Sequence, residues 1–260
     1  MIFVLIPILA FLPAFFWFFI FLREDKFDPE PRRLIIKLFL LGTIAALFAA
    51  ILEFAVASVF FGPFSEDFGR FFNDPNAGSF PNHVLIFLII EIILFAALEE
   101  VLKITVVREF VFYDPHFRQV VDGAIFGISA GLGFATLENL GYFFGTASEE
   151  GTGSLVVVFI LRFFASTLLH ALTSGMSGYY LGKSKFSKEK AVFWQGLIAA
   201  VLTHAAFNLF LFGGFLGVLF EVVFLVIILV FLINKMESTE AQTIWGLVFL
   251  KGAGKKGTTS

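Results

Sequence analysis

The chain has no cysteine, and that one absence excludes disulfide frameworks, thiolate zinc sites and cysteine nucleophiles. Charge is scarce too. Asp, Glu, Lys and Arg make up 15% of the 260 residues, against roughly 25% in soluble domains. The balance is slightly acidic, with a formal net charge of -3 and a pI near 5.8, so there is no basic footprint for nucleic acid. No long-period repeat of the solenoid kind occurs, and no linker marks off a second domain. What the chain has in abundance is apolar surface: 58% hydrophobic residues, 40 of them Phe, and a mean hydropathy of +0.92. A soluble core of this size could not bury that surface, so lipid is the solvent for most of it. The expected fold class is all-α, a polytopic transmembrane helical bundle.

Seven runs approach or exceed the roughly 20 apolar residues that a crossing needs: 2–22, 34–61, 84–107, 120–144, 155–181, 191–212 and 215–233. The last two meet at Phe212-Gly213-Gly214-Phe215, a glycine turn with no room for a loop. No basic residue precedes the first run, so it reads as retained rather than as a cleaved signal peptide. Basic residues alternate between the segments. Arg23, Lys26, Arg32, Arg33 and Lys37 follow the first run, Arg108 and Arg118 the third, and Lys183, Lys185, Lys188 and Lys190 the fifth, while the intervening segments hold only Arg70. By the positive-inside rule the N-terminus is expected outside and the C-terminus in the cytoplasm. Residues 1–233 read as one transmembrane domain and 234–260 as a cytoplasmic tail, interfacial around 244–250 and partly disordered beyond. The longest exterior segment, 62–83, has Pro63, Pro75, Gly78 and Pro81 and reads as an irregular loop.

Ionisable groups near the bilayer centre cost at least about 2.5–3.5 kcal/mol each, yet Glu53, Glu91, Glu99, Glu100, Lys103, Glu138, Arg162, His170, His204 and Glu221 all fall inside the runs. The isolated Glu53, Glu91 and Glu221 read as snorkelling, paired or lining helix interfaces, and Arg162 as snorkelling from a span end. The third run differs, because Glu99 and Lys103 are i,i+4 and Glu100 and Lys103 are i,i+3, so the lysine can reach either carboxylate. It neutralises one and leaves the other beside a like-charged neighbour, an arrangement that suits a general base. Gly123, Gly127 and Gly131 form a four-residue ridge that admits a close helix neighbour. Beyond it lie Phe134 and the Glu138-Asn139 pair, which needs partners on other spans. Ser166, Thr167, His170, Thr173 and Ser174 make a small, hydroxylated face, and His204 and Asn208 share a face at i,i+4. Glu99 and His170 each lie 15 residues from the exterior start of their runs, about 22 Å. His204 lies 13 residues, or about 20 Å, from the opposite side, and Glu138 is expected nearer the exterior. One cavity is able to hold them all.

At these residues the chain resembles the PrsW family of intramembrane proteases, within the wider CAAX-protease and bacteriocin-processing superfamily. Four elements match in order: Glu99-Glu100-x-x-Lys103, Phe134-x-x-x-Glu138-Asn139, a mid-span His170, and His204-x-x-x-Asn208. Asp28-Pro29-Glu30-Pro31-Arg32 and Asp122-Gly123 also look like that family. The resemblance runs from about residue 20 to 212 and implies peptide-bond hydrolysis in or beside the membrane. The implied substrate is a membrane-embedded protein such as a single-span anti-sigma factor, which the family's bacterial members cut first. Glu138 stands where the CAAX branch has a His, so that branch's water-binding geometry does not transfer directly.

Residue chemistry then assigns expected roles. Glu99, helped by Glu100, is the base, and His204 and Asn208 donate to the oxyanion. His170 orients water or donates to the leaving nitrogen, Lys103 tunes the Glu pair, and Glu138 and Asn139 orient. Two His and up to three Glu also make a plausible zinc set. Without a His-Glu-x-x-His turn, and with Lys103 beside the carboxylates, metal-independent, glutamate-activated water is the expectation. If zinc is held, Glu99, His170 and His204 are its ligands. The rival reading is a proton-coupled transporter or ion pathway using the same groups, although no inverted repeat with broken helices is evident.

Overall fold

A computed structural model describes residues 2–23, 30–61, 82–187 and 189–256. All regular structure among them is helical. The chain forms α1 (Ile2–Leu22), α2 (Arg32–Val56, continued by a π turn Ala57–Phe61), α3 (Asn82–Val111), α4 (Val120–Glu149), α5 (Thr152–Leu161), α6 (Thr167–Phe186), α7 (Val192–Phe210) and α8 (Gly214–Lys256). A π turn, Arg162–Ser166, joins α5 to α6, and a 3-10 turn, Leu211–Gly213, joins α7 to α8.

Helix α4 is the central element. Every residue from Val121 to Ala135 is buried, because its glycines let two neighbours press backbone against backbone. A Cβ on Gly123, Gly127 or Gly131 would strike the carbonyls of Gly178, Ser174 or His170 on α6. On the other side a Cβ on Gly133 would strike the Phe39 carbonyl, and one on Gly42 the Ala130 carbonyl, so α2 packs as closely. Thr43 Oγ1 donates to the Gly133 carbonyl at 3.0 Å across that second seam. The predicted ridge is therefore the scaffold's main joint. Asp122 caps α4 by accepting the backbone N–H groups of Arg118 and Gln119 at 2.6 and 2.8 Å. The Glu30 side chain lies against Asp122, which brings together two segments singled out on sequence. At the same end, Lys185 Nζ donates to the carbonyls of Phe112 and Phe117 at 2.5 and 2.9 Å.

The first run packs into the bundle. Ile6, Ala10, Ala14, Trp17 and Phe21 of α1 are buried, and Trp17 Nε1 donates to the Phe163 carbonyl at 2.8 Å. Outward-facing side chains such as Phe15, Ile36, Leu47, Phe54 and Ile227 are exposed, as a lipid-solvated surface requires.

Among the described residues, five stretches are long and apolar enough to cross a membrane: Phe3–Leu22, Arg32–Val59, Val120–Glu149, Thr152–Phe186 and Val192–Thr239. The last contains both the sixth and the seventh predicted runs. It is two helices, because the chain breaks at Leu211–Gly213 and Gly214 takes φ +58. Tyr180 packs on Gly196, Leu232 reaches Gly175 and Thr239 pairs with the Tyr179 hydroxyl at 2.8 Å. Helix α8 thus folds back along α7 and runs parallel to α6. Helix α3, the third predicted run, has 30 residues and carries Glu91, Glu99, Glu100 and Lys103. The helix α8 passes residue 234, the expected domain boundary, without interruption and includes 244–250. Residues 62–81 of the predicted exterior loop, Asp28, Pro29 and the last four residues, 257–260, lie outside the described set.

Candidate active site

Four helices bring the predicted residues together. Lys103, fully buried on α3, donates from Nζ to Glu100 Oε1 at 2.7 Å and to His170 Nδ1 at 3.0 Å, with Glu99 Oε2 farther off at 3.5 Å. The ammonium also sits 4.6 Å from the Phe134 ring centroid, a cation–π contact from α4. The expectation that this lysine reaches either carboxylate is met, with a clear preference for Glu100.

Glu100 is saturated on one oxygen. Its Oε1 accepts from Lys103, from Thr173 Oγ1 at 2.9 Å and from His204 Nδ1–H at 2.8 Å, while Oε2 is buried without a hydrogen-bond partner. Glu99 is left open. Beyond the long Lys103 contact its Oε2 lies 3.8 Å from His170 Nδ1 and 3.9 Å from His204 Nε2. The two imidazoles stand nearly perpendicular, with centroids 5.2 Å apart.

The Glu-Asn pair finds its partners on the helix carrying His170. His170 Nε2–H donates to Glu138 Oε2 at 2.8 Å, and Arg162 Nη2 donates to the same oxygen at 2.7 Å. Arg162 Nε donates to Asn139 Oδ1 at 2.6 Å, and Asn139 Nδ2 donates to Thr167 Oγ1 at 3.0 Å. Arg162 does not snorkel, as its sequence position suggested. It turns inward, stacks 4.0 Å over the Tyr142 ring and holds both members of the pair, because a guanidinium offers two donors in one plane.

These groups border a cavity of about 520 Å³. Glu99, Glu138, His170, His204 and Asn208 line it, whereas Glu100, Lys103, Phe134 and Asn139 do not. Glu53, Glu91 and Glu221 line the same cavity, so the carboxylates that looked isolated in sequence share one space. Sequence reasoning had named them without linking them to the cluster. It had also missed Arg162 as a partner and treated Thr173 only as part of a hydroxylated face.

Ligand atoms of Glu99, His170 and His204 all fall within 4.8 Å of one another, close enough to hold a metal ion together. The donor set fits a zinc centre with three protein ligands and an open position. With Nδ1–H given to Glu100, His204 keeps a bare Nε2 lone pair, the carboxylate–histidine arrangement that orients metal-binding imidazoles.

The fold and the cluster define a class: a multi-pass integral membrane protein with a carboxylate–imidazole centre buried beside an internal cavity. The family follows from comparison, because residues 30–233 match the PrsW-protease family, described as PrsW family intramembrane metalloprotease, and the chain belongs to that family. It is 28% identical over 194 residues to Protease PrsW of Bacillus subtilis (strain 168), a match covering 74% of this chain and 75% of that one. Protease PrsW of Shouchella clausii (strain KSM-K16) is 27% identical over 231 residues, covering 87% and 92%. Protease PrsW of Clostridioides difficile (strain 630) is 24% identical over 238 residues, covering 89% and 90%. No solved structure matches. The protein is an intramembrane protease, and its substrates are membrane-embedded proteins.

Proposed function

We propose that this protease cuts its substrate with water activated by Glu99 at the cavity wall, and that a single-span anti-sigma factor receiving its first cut is the substrate. The observation that carries the mechanism is the division of labour in the Glu pair. Lys103, Thr173 and His204 all bind Glu100 Oε1, which leaves Glu99 facing the cavity between two imidazoles. Glu99 takes one proton from water as the water oxygen bonds to the scissile carbonyl carbon. That proton then passes to the nitrogen as the C–N bond breaks.

The hydrogen-bond pattern supports a narrower role for His204 than the sequence suggested. With Nδ1–H committed to Glu100, its Nε2 accepts, so His204 orients the water and the cavity-facing Asn208 amide donates to the oxyanion. His170 accepts from Lys103 at Nδ1 and donates Nε2–H to Glu138 at 2.8 Å, which supports an orienting role beside the water and leaves proton delivery to Glu99. The single-substitution test is incubation of purified protein with a single-span membrane protein. Glu99→Gln is expected to abolish cleavage, and a Glu99→Gln variant that still cuts would overturn the assignment.

The convergence of donors favours a second reading of the same active site, in which Glu99, His170 and His204 hold zinc. When bound, such an ion supplies Lewis acidity and a more acidic water. Lys103 is matched to Glu100 at 2.7 Å, but its ammonium also donates to His170 Nδ1 at 3.0 Å, a bond that His170 gives up in this reading to serve as a ligand. Three carboxylates (Glu99, Glu100, Glu138) face two cations (Lys103, Arg162) here, so the cluster retains room for positive charge. Elemental analysis after chelator dialysis separates the two readings. Activity that persists without metal supports water activated by Glu99 alone, whereas stoichiometric zinc with activity tracking occupancy overturns the metal-free mechanism.

A further inference from the structure

Three carboxylates in the cavity take no part in the proposed chemistry, and two have acceptor atoms that nothing satisfies. Glu221 of α8 is only 1% exposed, and its Oε1 is buried without a hydrogen-bond partner. Glu53 of α2 likewise has a buried Oε1 without a partner. Both line the cavity with Glu99, as does Glu91 of α3. Glu221 is the sole charged residue of α8 before Lys235, and a lone carboxylate in so apolar a stretch is expensive to insert. Native structures rarely leave buried acceptors unpaired without a functional reason. Among the described residues, the one Lys or Arg lining the cavity is Arg162, and it is held by Glu138 and Asn139.

A membrane-embedded substrate supplies what these oxygens lack. A helical segment keeps its N–H groups bonded to its own carbonyls, so the scissile carbonyl is exposed only where the helix unwinds. Unwinding frees N–H donors that the bilayer interior cannot satisfy. We propose that Glu221, with Glu53, forms an acceptor subsite that takes backbone N–H donors of the unwound substrate strand beside the scissile bond. This rests on the protease reading above and deepens it, since Glu221 binds the strand and Glu99 attacks it.

The test uses the full-length protein in lipid nanodiscs and a quenched-fluorescent single-span peptide that the wild type cuts and Glu99→Gln does not. Glu221→Met removes the acceptor and is expected to raise KM by about tenfold, the scale of one lost hydrogen bond to a charged group, with kcat little changed. Glu221→Gln keeps a carbonyl acceptor and is expected to bring KM back to within about threefold of wild type. Replacing single backbone N–H groups of the probe by ester oxygens should raise the wild-type KM at one or two positions, and the same esters should have no further effect on Glu221→Met.

If Glu221→Gln is as impaired as Glu221→Met, the carboxylate pairs with a substrate cation and the backbone-acceptor claim is overturned. It is overturned equally if no ester moves the wild-type KM, a result that stands even where Glu221→Met fails to fold. A wild type that cuts no single-span probe would instead overturn the protease mechanism itself, before the subsite is reached.

Discussion

At the scale of single residues, the adjacent carboxylates of α3 have opposite characters. Glu100 holds the structure together and Glu99 faces the cavity. Glu99→Gln should leave the melting temperature in detergent near that of wild type while cleavage disappears. Glu100→Gln should instead lower stability by about 3–5 kcal/mol, because it removes the close counter-charge of the fully buried Lys103 and leaves it only Glu99 at 3.5 Å. Equal melting temperatures for the two variants would contradict this division. Arg162→Lys should lose most activity although the charge survives, since an ammonium cannot serve Glu138 and Asn139 together as the guanidinium does. The motif residues were legible because polar groups stand out in apolar runs, and their i,i+3 and i,i+4 spacings fix a shared face. Arg162 was misread because position along a span gives depth, not direction. Its inward turn depends on partners 23 and 24 residues away.

At the scale of helices, the α5–α6 join explains that inward turn. Arg162 and His170 are 8 positions apart, which on an unbroken α-helix puts them about 80° apart. The π turn at Arg162–Ser166 absorbs one residue and reduces the offset to about 20°. Both side chains then reach the same oxygen of Glu138. Nothing in Arg-Phe-Phe-Ala-Ser signals an extra residue, so the sequence gives the span and not its register. The glycine ridge, by contrast, was fully legible, because four-residue spacing of glycines has one geometric use. Gly127→Ala would drive a methyl into the Ser174 carbonyl and should destabilise by about 1–3 kcal/mol or more. Gly141→Ala, on the same helix with nothing within 4 Å of the new methyl, should be neutral or stabilise by up to about 1 kcal/mol. Thermal melts of the two variants in one detergent check the contrast.

At the scale of the whole molecule, the alternation of basic segments predicts the orientation. Cysteines placed at Ser79 and Ser187 of this cysteine-free chain should be labelled by an impermeant thiol reagent in intact cells at 79 and spared at 187. The reverse pattern would invert the bundle. The helical bundle and the grouping of the motif residues were both readable from the chain, because lipid forces helices and hides no polar group cheaply. The shared cavity was not readable, since it depends on α8 folding back at Gly214 and on how three distant carboxylates converge. The glycine ridge also has a mechanical consequence. Where Gly131 abuts the carbonyl of His170 itself, α4 and α6 touch backbone to backbone, and such a contact has no slack to give. These two helices, with α2 joined to α4 as closely, must move as one rigid plate, so any breathing that admits a peptide falls to the walls joined by softer seams, above all the α7–α8 hairpin, which moves as a unit because Gly217 meets the Phe210 carbonyl. Hydrogen exchange should therefore be slowest at 123–131 and 170–178 and fastest, among the buried amides, near 214–222. Uniform protection across both regions would mean the plate and the softer wall do not exist.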